Sequence, residues 1–162
     1  MLFRSSFQDH AAYRDDVLAR ADALGLREGE DFVQLGTLAD AEMPVAFAAA
    51  DAFAFPSTKE GFGLVVLEAL AASLPVVASD LPVLLEYLEA DRDVLMFPAG
   101  DADALAGAMH RVVTEPSLRA RLAATGPAIA RRFPWSDVAR MHATIYRDLV
   151  ATGSSPSTAA NA

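Results

Sequence analysis

Short apolar runs alternate with segments of helical periodicity through the middle of this chain. Each run has four to six residues and stops at glycine, at proline or at a polar residue, which is typical of short buried strands. The runs are DFVQLG (31–36), AFAF (52–55), PVVAS (75–79) and VLMF (94–97). Because helices connect them, successive strands should lie parallel in one sheet. The sequence therefore predicts an α/β fold with a Rossmann-like parallel sheet flanked by helices.

Seven segments have the apolar period or the terminal residues of helices. They cover about 10–24, 40–50, 64–73, 82–89, 102–113, 116–124 and 137–150. The expected N-caps are Asp9, Asp40, Asp101 and Ser136, and the expected first-turn prolines are Pro82 and Pro116.

The two ends of the chain differ from the middle. Leu2 and Phe3 are interpreted as the stub of a further strand, because a doubly wound sheet normally begins with a full apolar strand. The last residues are small, polar and without periodicity. We therefore expect one domain over 1–150, lacking its first strand or strands, and a disordered tail over 151–162.

Charge and cysteine content exclude several functions. The 162 residues carry a net charge of −9, which repels nucleic-acid phosphates. The chain has no cysteine, so disulfides and cysteine-ligated metals are excluded. No apolar run approaches the roughly 20 residues of a membrane span, and the first residues lack a signal core, so a cytoplasmic location is expected.

The stretch STKEGFGLVVLE (57–68) joins a predicted strand to a predicted helix at the carboxyl edge of the sheet, where ligands bind in such folds. Gly61 and Gly63 permit positive φ and a close approach of a ligand to the backbone. The N-terminus of the following helix favours a phosphate. Two interpretations stay open at this point, a diphosphate cradle and an ordinary glycine turn.

Glu68 is the only charged residue between Leu64 and Leu74. A buried carboxylate requires donors, and its position one turn after Leu64 directs it toward the start of the helix. The two hydroxyls of a ribose would supply such donors. The alternative is a half-exposed Glu68, or one paired with an arginine.

The stretch PSTKEGFGLVVLEALAASLPVVASD resembles the donor-site signature of family 4 retaining glycosyltransferases (glycosyl transferases group 1), which have the GT-B fold. Glu60 and Glu68 match its two glutamates separated by seven residues. The phrases ALGLREGEDFVQLGTL, AAADAFAFPS, VLMFPAGDADALAGAM, SLRARLA and FPWSDVA extend the resemblance from about Ala11 to about Tyr146. It implies the C-terminal, donor-binding half of a GT-B architecture.

The resemblance also implies roles for the residues of this stretch. Glu60 is the candidate catalytic residue and contacts the donor sugar, positioning it rather than reacting with it. Glu68 holds the ribose. The predicted nucleotide-sugar-binding set is Glu60, Gly61, Phe62, Gly63, Leu64 and Glu68, and no metal ligand is predicted.

The implied reaction is retaining transfer of a hexosyl group from a UDP- or GDP-sugar donor to an acceptor hydroxyl, without a cofactor. The acceptor does not follow from the sequence. Members of the family also have an Arg and a Lys that grip the diphosphate, and an N-terminal acceptor domain, none of which is present here. We therefore expect the isolated chain to be inactive, and the full-length enzyme to be cytoplasmic or peripheral to the membrane.

Where the family often has glycine before its PVVASD strand, this chain has Ser73 and Leu74.

The alternative function is a stand-alone module that binds a nucleotide sugar, or that self-associates through the surface normally covered by the missing domain.

Metal-binding patterns are weak. Asp91-Arg92-Asp93 and Asp101-Ala102-Asp103 spell DxD, but they are better interpreted as a polar turn and a helix cap. The three histidines lack the spacing of a zinc site.

Overall fold

The structure of the protein, a computed structural model, describes residues 2–3 and 11–152. The described residues form two compact units that divide between Phe53 and Ala54. The strands are β1 (Leu2–Phe3), β2 (Val33–Gln34), β3 (Phe53–Phe55), β4 (Val76–Ser79) and β5 (Leu95–Phe97). The helices are α1 (Ala11–Ala23), α2 (Met43–Ala48), α3 (Leu64–Ala71), α4 (Pro82–Leu85), α5 (Ala102–Thr114), α6 (Pro116–Ala130) and α7 (Trp135–Thr152).

The first unit contains a two-stranded parallel sheet, in which Leu2 pairs with Val33 and Phe3 with Gln34. The predicted strand at Leu2 and Phe3 is therefore confirmed. Helix α1 ends as expected at Gly25, which has a φ of +75° and whose N–H bonds the Asp22 carbonyl at 2.8 Å. The predicted Asp9 cap lies outside the described residues.

Helix α2 begins later than predicted. The N-cap is Glu42 rather than Asp40, and Pro44 lies in the first turn of the helix. Glu42 does not cap α2 with its side chain, because its carboxylate accepts the N–H of Ala39 at 2.8 Å. A proline fits the first turn, where the N–H groups have no intrahelical acceptor, so Pro44 explains the later start.

A second sheet has three strands in the order β3-β4-β5, and all of its residues except Phe53 belong to the second unit. Strands β4 and β5 are parallel, with Val77 opposite Leu95 and Ser79 opposite Phe97. All four residues of β4 are buried, as an apolar run without alternation predicts for a central parallel strand.

Helices α4 and α5 begin where predicted, but α4 ends early. Pro82 begins α4, but α4 has only four residues instead of extending to 89. The chain turns here because the N–H groups of Tyr87 and Leu88 both bond the Leu84 carbonyl. Asp101 caps α5 as predicted, since its carboxylate accepts the Ala104 N–H at 2.9 Å.

Helix α6 is longer than predicted, continuing beyond 124 through Gly126 and Pro127 to Ala130. Both residues disfavour a helix interior. Packing outweighs propensity, because the Gly126 backbone lies directly against the Leu70 backbone of α3. A Cβ at Gly126 would lie 2.5 Å from the Leu70 carbonyl oxygen, so only glycine allows this approach of the two helices.

Helix α7 begins at Trp135, so Ser136 lies inside the helix and the predicted Ser136 cap is wrong. The Pro134 carbonyl accepts the Asp137 N–H at 3.0 Å instead. Asp137 lies in the first turn, as expected. The helix extends to Thr152, and residues 153–162 lie outside the described part of the chain.

Ser73 adopts a backbone conformation that favours glycine, with a φ of +61°. It follows α3 in a Schellman arrangement, in which the N–H of Ser73 bonds the Leu70 carbonyl and that of Leu74 bonds the Ala69 carbonyl, both at 3.0 Å. The chain therefore makes a glycine-type turn with serine at this position.

Gly126→Ala should lower the free energy of unfolding by about 1–3 kcal/mol, because the new methyl would meet backbone that cannot rotate away. Urea denaturation measures the change. Gly107→Ala is the matched control: Gly107 lies exposed in α5 with nothing within 4 Å of the added Cβ. This control should raise stability by about 0.5–1 kcal/mol through helix propensity. Equal effects of the two substitutions would contradict the proposed packing.

Candidate functional site

The segment 57–63 leads from β3 into α3 and is folded by its own side chains. The Ser57 hydroxyl donates to the Lys59 carbonyl at 2.8 Å. Oε1 of Glu60 accepts the N–H of Gly61 at 2.7 Å and that of Phe62 at 3.4 Å. A carboxylate therefore already binds backbone N–H groups of this segment. Because these groups are hydrogen-bond donors, we call the segment the donor loop (57–63). Its N–H groups are arranged to hold an anion.

Gly63 ends the donor loop and is the N-cap of α3, with a φ of +83°. A Cβ on this residue would lie 2.7 Å from Leu84 Cδ2 and 3.2 Å from the Tyr87 hydroxyl. Both the backbone angle and the surrounding space therefore require glycine. Gly61 differs, because a Cβ there would meet nothing within 4 Å.

The N-terminus of α3 follows at once. The Gly63 carbonyl accepts the N–H groups of Val66 and Leu67, at 2.9 and 3.4 Å. Among the described residues, no acceptor is recorded for the N–H groups of Leu64 and Val65. Unpaired donors at the positive end of a helix favour phosphate.

Glu68 is exposed, so the expected burial in apolar surroundings is wrong. The buried residues of α3 are Val66, Leu67, Ala69 and Leu70, which form its opposite face. The alternative of an arginine partner is also not observed, since within the described residues no ion pair or hydrogen bond of the Glu68 carboxylate is recorded.

Glu68 nevertheless shares an exposed face of α3 with Leu64, which is 49% exposed. The carboxylate and the donor loop are thus one helical turn apart on the same side. The predicted site residues 60–64 form the end of the donor loop and the first residue of α3. Glu68 lies one helical turn further along α3.

Two aromatic rings, those of Tyr87 and Phe133, support the donor loop by packing against its Phe62 ring. Phe62 stacks on Tyr87 with ring centroids 5.4 Å apart, and Phe133 meets the two rings edge-on at 5.7 and 5.2 Å. The Tyr87 hydroxyl donates to the Phe62 carbonyl at 2.8 Å. Sequence reasoning missed Tyr87 because this contact joins residues 25 positions apart, in two segments with no shared pattern.

Tyr87 is 9% exposed. Burial, with a smaller contribution from the negative charge of Glu60, raises the pKa of Tyr87 from 10.0 to about 12. The phenol is protonated at neutral pH, as an ordinary tyrosine is, and donates to the Phe62 carbonyl; the raised pKa extends this state to alkaline pH.

The two DxD patterns have structural explanations. The Asp93 carboxylate is buried, accepts Nε and NH2 of Arg92 at 2.9 and 3.0 Å, and accepts the Glu89 N–H at 3.0 Å. Burial alone would raise the pKa of Asp93, but these hydrogen bonds, together with the positive charges of Arg92 and Arg132, outweigh it and lower the pKa below its ordinary value. Asp101 is the α5 cap. Within the part of the chain that the structure describes, no group of three or more His, Cys, Asp or Glu could hold a metal ion.

Comparison with known proteins places the chain in a family. The sequence matches the glycosyl transferases group 1 family over residues 11–128. The chain belongs to this family. It is 38% identical over 141 residues to phosphatidyl-myo-inositol mannosyltransferase of Mycobacterium leprae, covering 86% of this chain and 37% of that protein. It is 33% identical over 138 residues to O-antigen chain mannosyltransferase B of Escherichia coli, covering 85% and 35%.

Solved glycosyltransferases have the same fold. Sucrose-phosphate synthase of Thermosynechococcus elongatus superposes with a TM-score of 0.82 at 28% identity, over 93% of this chain and 38% of that one. HepE of Anabaena, solved with UDP and glucose, gives a TM-score of 0.81 at 26% identity, over 91% and 40%. The predicted α/β fold, the C-terminal half of a GT-B architecture, is confirmed.

This group 1 chain spans less than two-fifths of the length of the two mannosyltransferases. None of the helices in residues 11–152 is both long enough and apolar enough to cross a membrane.

Gly63→Ala should lower the free energy of unfolding by about 1–3 kcal/mol, because alanine is strained at positive φ and its methyl would overlap Leu84. Gly61→Ala in the same loop is the control and should change stability by less than about 1 kcal/mol. Urea unfolding of both variants measures the difference. Similar losses in the two would mean that the loop is not held at Gly63.

Stability should also fall between pH 10 and 12. The unfolded chain releases the Tyr87 proton near the ordinary pKa of 10.0, whereas the folded protein retains it to about 12, so the stabilisation is complete below 10 and is lost as pH rises. Tyr87→Phe should lack this part of the loss. Urea midpoints of both proteins at about pH 9 and about pH 11 provide the comparison. An identical decline in both proteins would contradict the shifted phenol.

Proposed function

We propose that this chain is the donor-binding domain of a retaining family 4 glycosyltransferase. It binds a nucleoside diphosphate sugar, UDP- or GDP-linked, at the donor loop and along the exposed face of α3. The observation that carries the proposal is the anion-accepting N–H arrangement of the donor loop, at the start of a helix whose first-turn donors have no recorded partner among the described residues.

The assignment of the ligand class has support from the relatives. HepE was solved with UDP and glucose and also with UDP-glucose, and the two curated relatives are named as mannosyltransferases. The donor proposed here is therefore a hexose on a nucleoside diphosphate, and it is a substrate rather than a resident cofactor.

The diphosphate takes the N–H groups at the start of α3, where the helix dipole stabilises negative charge. In the reaction, the bond between the sugar C1 and the phosphate oxygen breaks and C1 bonds to the acceptor oxygen. The hydroxyl proton of the acceptor is released, and the configuration at C1 is retained. Charge that develops on the leaving diphosphate is stabilised by the same preorganised donors.

Glu60 has the role of positioning the sugar. Its carboxylate lies against the loop backbone, so a sugar bound there would meet an acceptor for its hydroxyls beside the N–H groups of Gly61 and Phe62. Glu68 lies one turn further along the exposed face and accepts the ribose hydroxyls. Because the Glu68 carboxylate is exposed, a ligand can reach it, and binding the ribose does not require a buried position.

The chain alone is proposed to bind the donor without appreciable transfer. Transfer requires donor and acceptor to be held at reacting distance in a site from which water is excluded. The relatives are more than twice as long as the segment matched here, and the acceptor site is assigned to the rest of such a protein. The location proposed for the full-length enzyme is cytoplasmic, or peripheral to the membrane.

A second candidate function is association without catalysis, and the surface of α7 favours it. Five large apolar side chains of this helix are more than half exposed, from 53% at Ile145 to 84% at Val150; the others are Trp135, Met141 and Tyr146. Exposed apolar surface of this kind marks a contact with another protein segment. This candidate and nucleotide binding are compatible in one chain.

Glu68→Ala should weaken UDP or GDP binding by about 10- to 100-fold, because a charged acceptor for two hydroxyls is removed. Isothermal titration calorimetry of the 162-residue chain with each nucleotide measures the change. Glu115→Ala is the matched control, since Glu115 forms an ion pair with Arg111 at 3.0 Å and has no assigned role in binding. A nucleotide that binds wild type and Glu68→Ala equally well would refute the ribose assignment.

A further inference from the structure

Tyr87 contacts the donor loop through both its hydroxyl and its ring. The hydroxyl donates to a backbone carbonyl, that of Phe62, at 2.8 Å. The Tyr87 ring is buried and stacks on the Phe62 ring. The hydrogen bond and the stack therefore act on the same residue of the loop, one on its backbone and one on its side chain.

The hydrogen bond fixes a peptide plane. A trans peptide is planar, so its carbonyl and its N–H point in opposite directions. Because the Phe62 carbonyl is drawn toward Tyr87, the N–H of Gly63 in the same peptide points away from Tyr87. The direction of one backbone donor at the start of α3 thus depends on a side-chain hydroxyl 25 residues away in sequence.

Without this bond, the sequence itself would leave the peptide free to rotate. Glycines flank Phe62 on both sides, at positions 61 and 63, and glycine accepts many backbone conformations at low cost. The space around Gly61 is open, whereas a Cβ at Gly63 would lie 3.2 Å from the Tyr87 oxygen. Tyr87 therefore restrains the more tightly packed end of a flexible pair.

The neighbours of Tyr87 keep the hydroxyl in this role. Phe133 packs edge-on against both Tyr87 and Phe62, which holds the two rings together. The phenol is protonated throughout the physiological range of pH, as an unperturbed tyrosine is, so the group can donate there. Leaving a buried donor without an acceptor also costs more free energy than leaving an exposed donor without one.

We propose that Tyr87 is a positioning residue for donor binding: its hydroxyl holds the Phe62–Gly63 peptide so that the N–H groups at the start of α3 are aligned for the diphosphate. This inference rests on the proposed function, because it assigns the diphosphate to the same loop. Tyr87 does not contact the donor and acts through the backbone of the loop.

The test is UDP and GDP titration of the 162-residue chain and its Tyr87→Phe variant, which keeps the ring and removes only the hydroxyl. The nucleotide that binds the wild type should bind the variant about 3- to 10-fold more weakly, the effect of one misaligned hydrogen bond. Tyr87→Met, which also lacks the hydroxyl and fills the space flexibly, is the second variant if the first does not fold.

Gly126→Ala is the control for stability. It weakens the packing of α6 on α3 at a position with no role in the donor loop, and it should leave the dissociation constant within about 2-fold of wild type. A merely structural role of Tyr87 predicts that binding follows stability in all variants, whereas positioning predicts weaker binding only where the hydroxyl is lost.

The outcomes separate the inference from the function on which it rests. Weaker binding by the variants without the hydroxyl, with unchanged binding by Gly126→Ala, supports the inference. Equal binding by wild type and Tyr87→Phe, or an equal loss in Gly126→Ala, overturns the inference and leaves nucleotide binding intact. A wild type that binds neither nucleotide overturns the proposed function and the inference together.

Discussion

The conformation of one glycine decides the geometry of the donor loop. Gly63 has a positive φ and lies against Leu84 and Tyr87, with no room for a side chain. It turns the chain out of the loop and into α3, and its carbonyl begins the hydrogen bonding of that helix. The exposed first turn of α3, the aromatic support beneath Phe62 and the placement of Glu68 all follow from this one turn.

Most elements of the fold were predictable because they depend on local patterns. The continuous apolar run PVVAS became a fully buried strand, and Asp101 capped its helix, since both signals act within a few residues. At the end of α6, by contrast, a distant contact decided the outcome. The pair Gly126 and Pro127 predicts a helix end, yet α6 continues because the glycine is needed against the Leu70 backbone, which sequence spacing does not reveal.

The candidate site divides in the same way. Glu60, the two glycines and the start of α3 could be singled out from residue types at short spacing, and their role in binding stays a prediction. The sequence left both burial and exposure of Glu68 open, because a helix that is apolar on both faces can bury only one of them. Tyr87 was not recognised at all, since its hydrogen bond to Phe62 is a tertiary contact between segments that have no common motif.

The carboxylate of Glu60 gives the donor loop an internal counter-charge. It bonds the same N–H groups, those of Gly61 and Phe62, that an incoming sugar or phosphate oxygen would use. A ligand that takes these donors therefore enters by exchange, and its affinity is the difference between two sets of hydrogen bonds. Glu60, displaced by that exchange, would be free to accept hydrogen bonds from the ligand. Binding of a ligand at the loop and release of the Glu60 carboxylate from the backbone would therefore occur together.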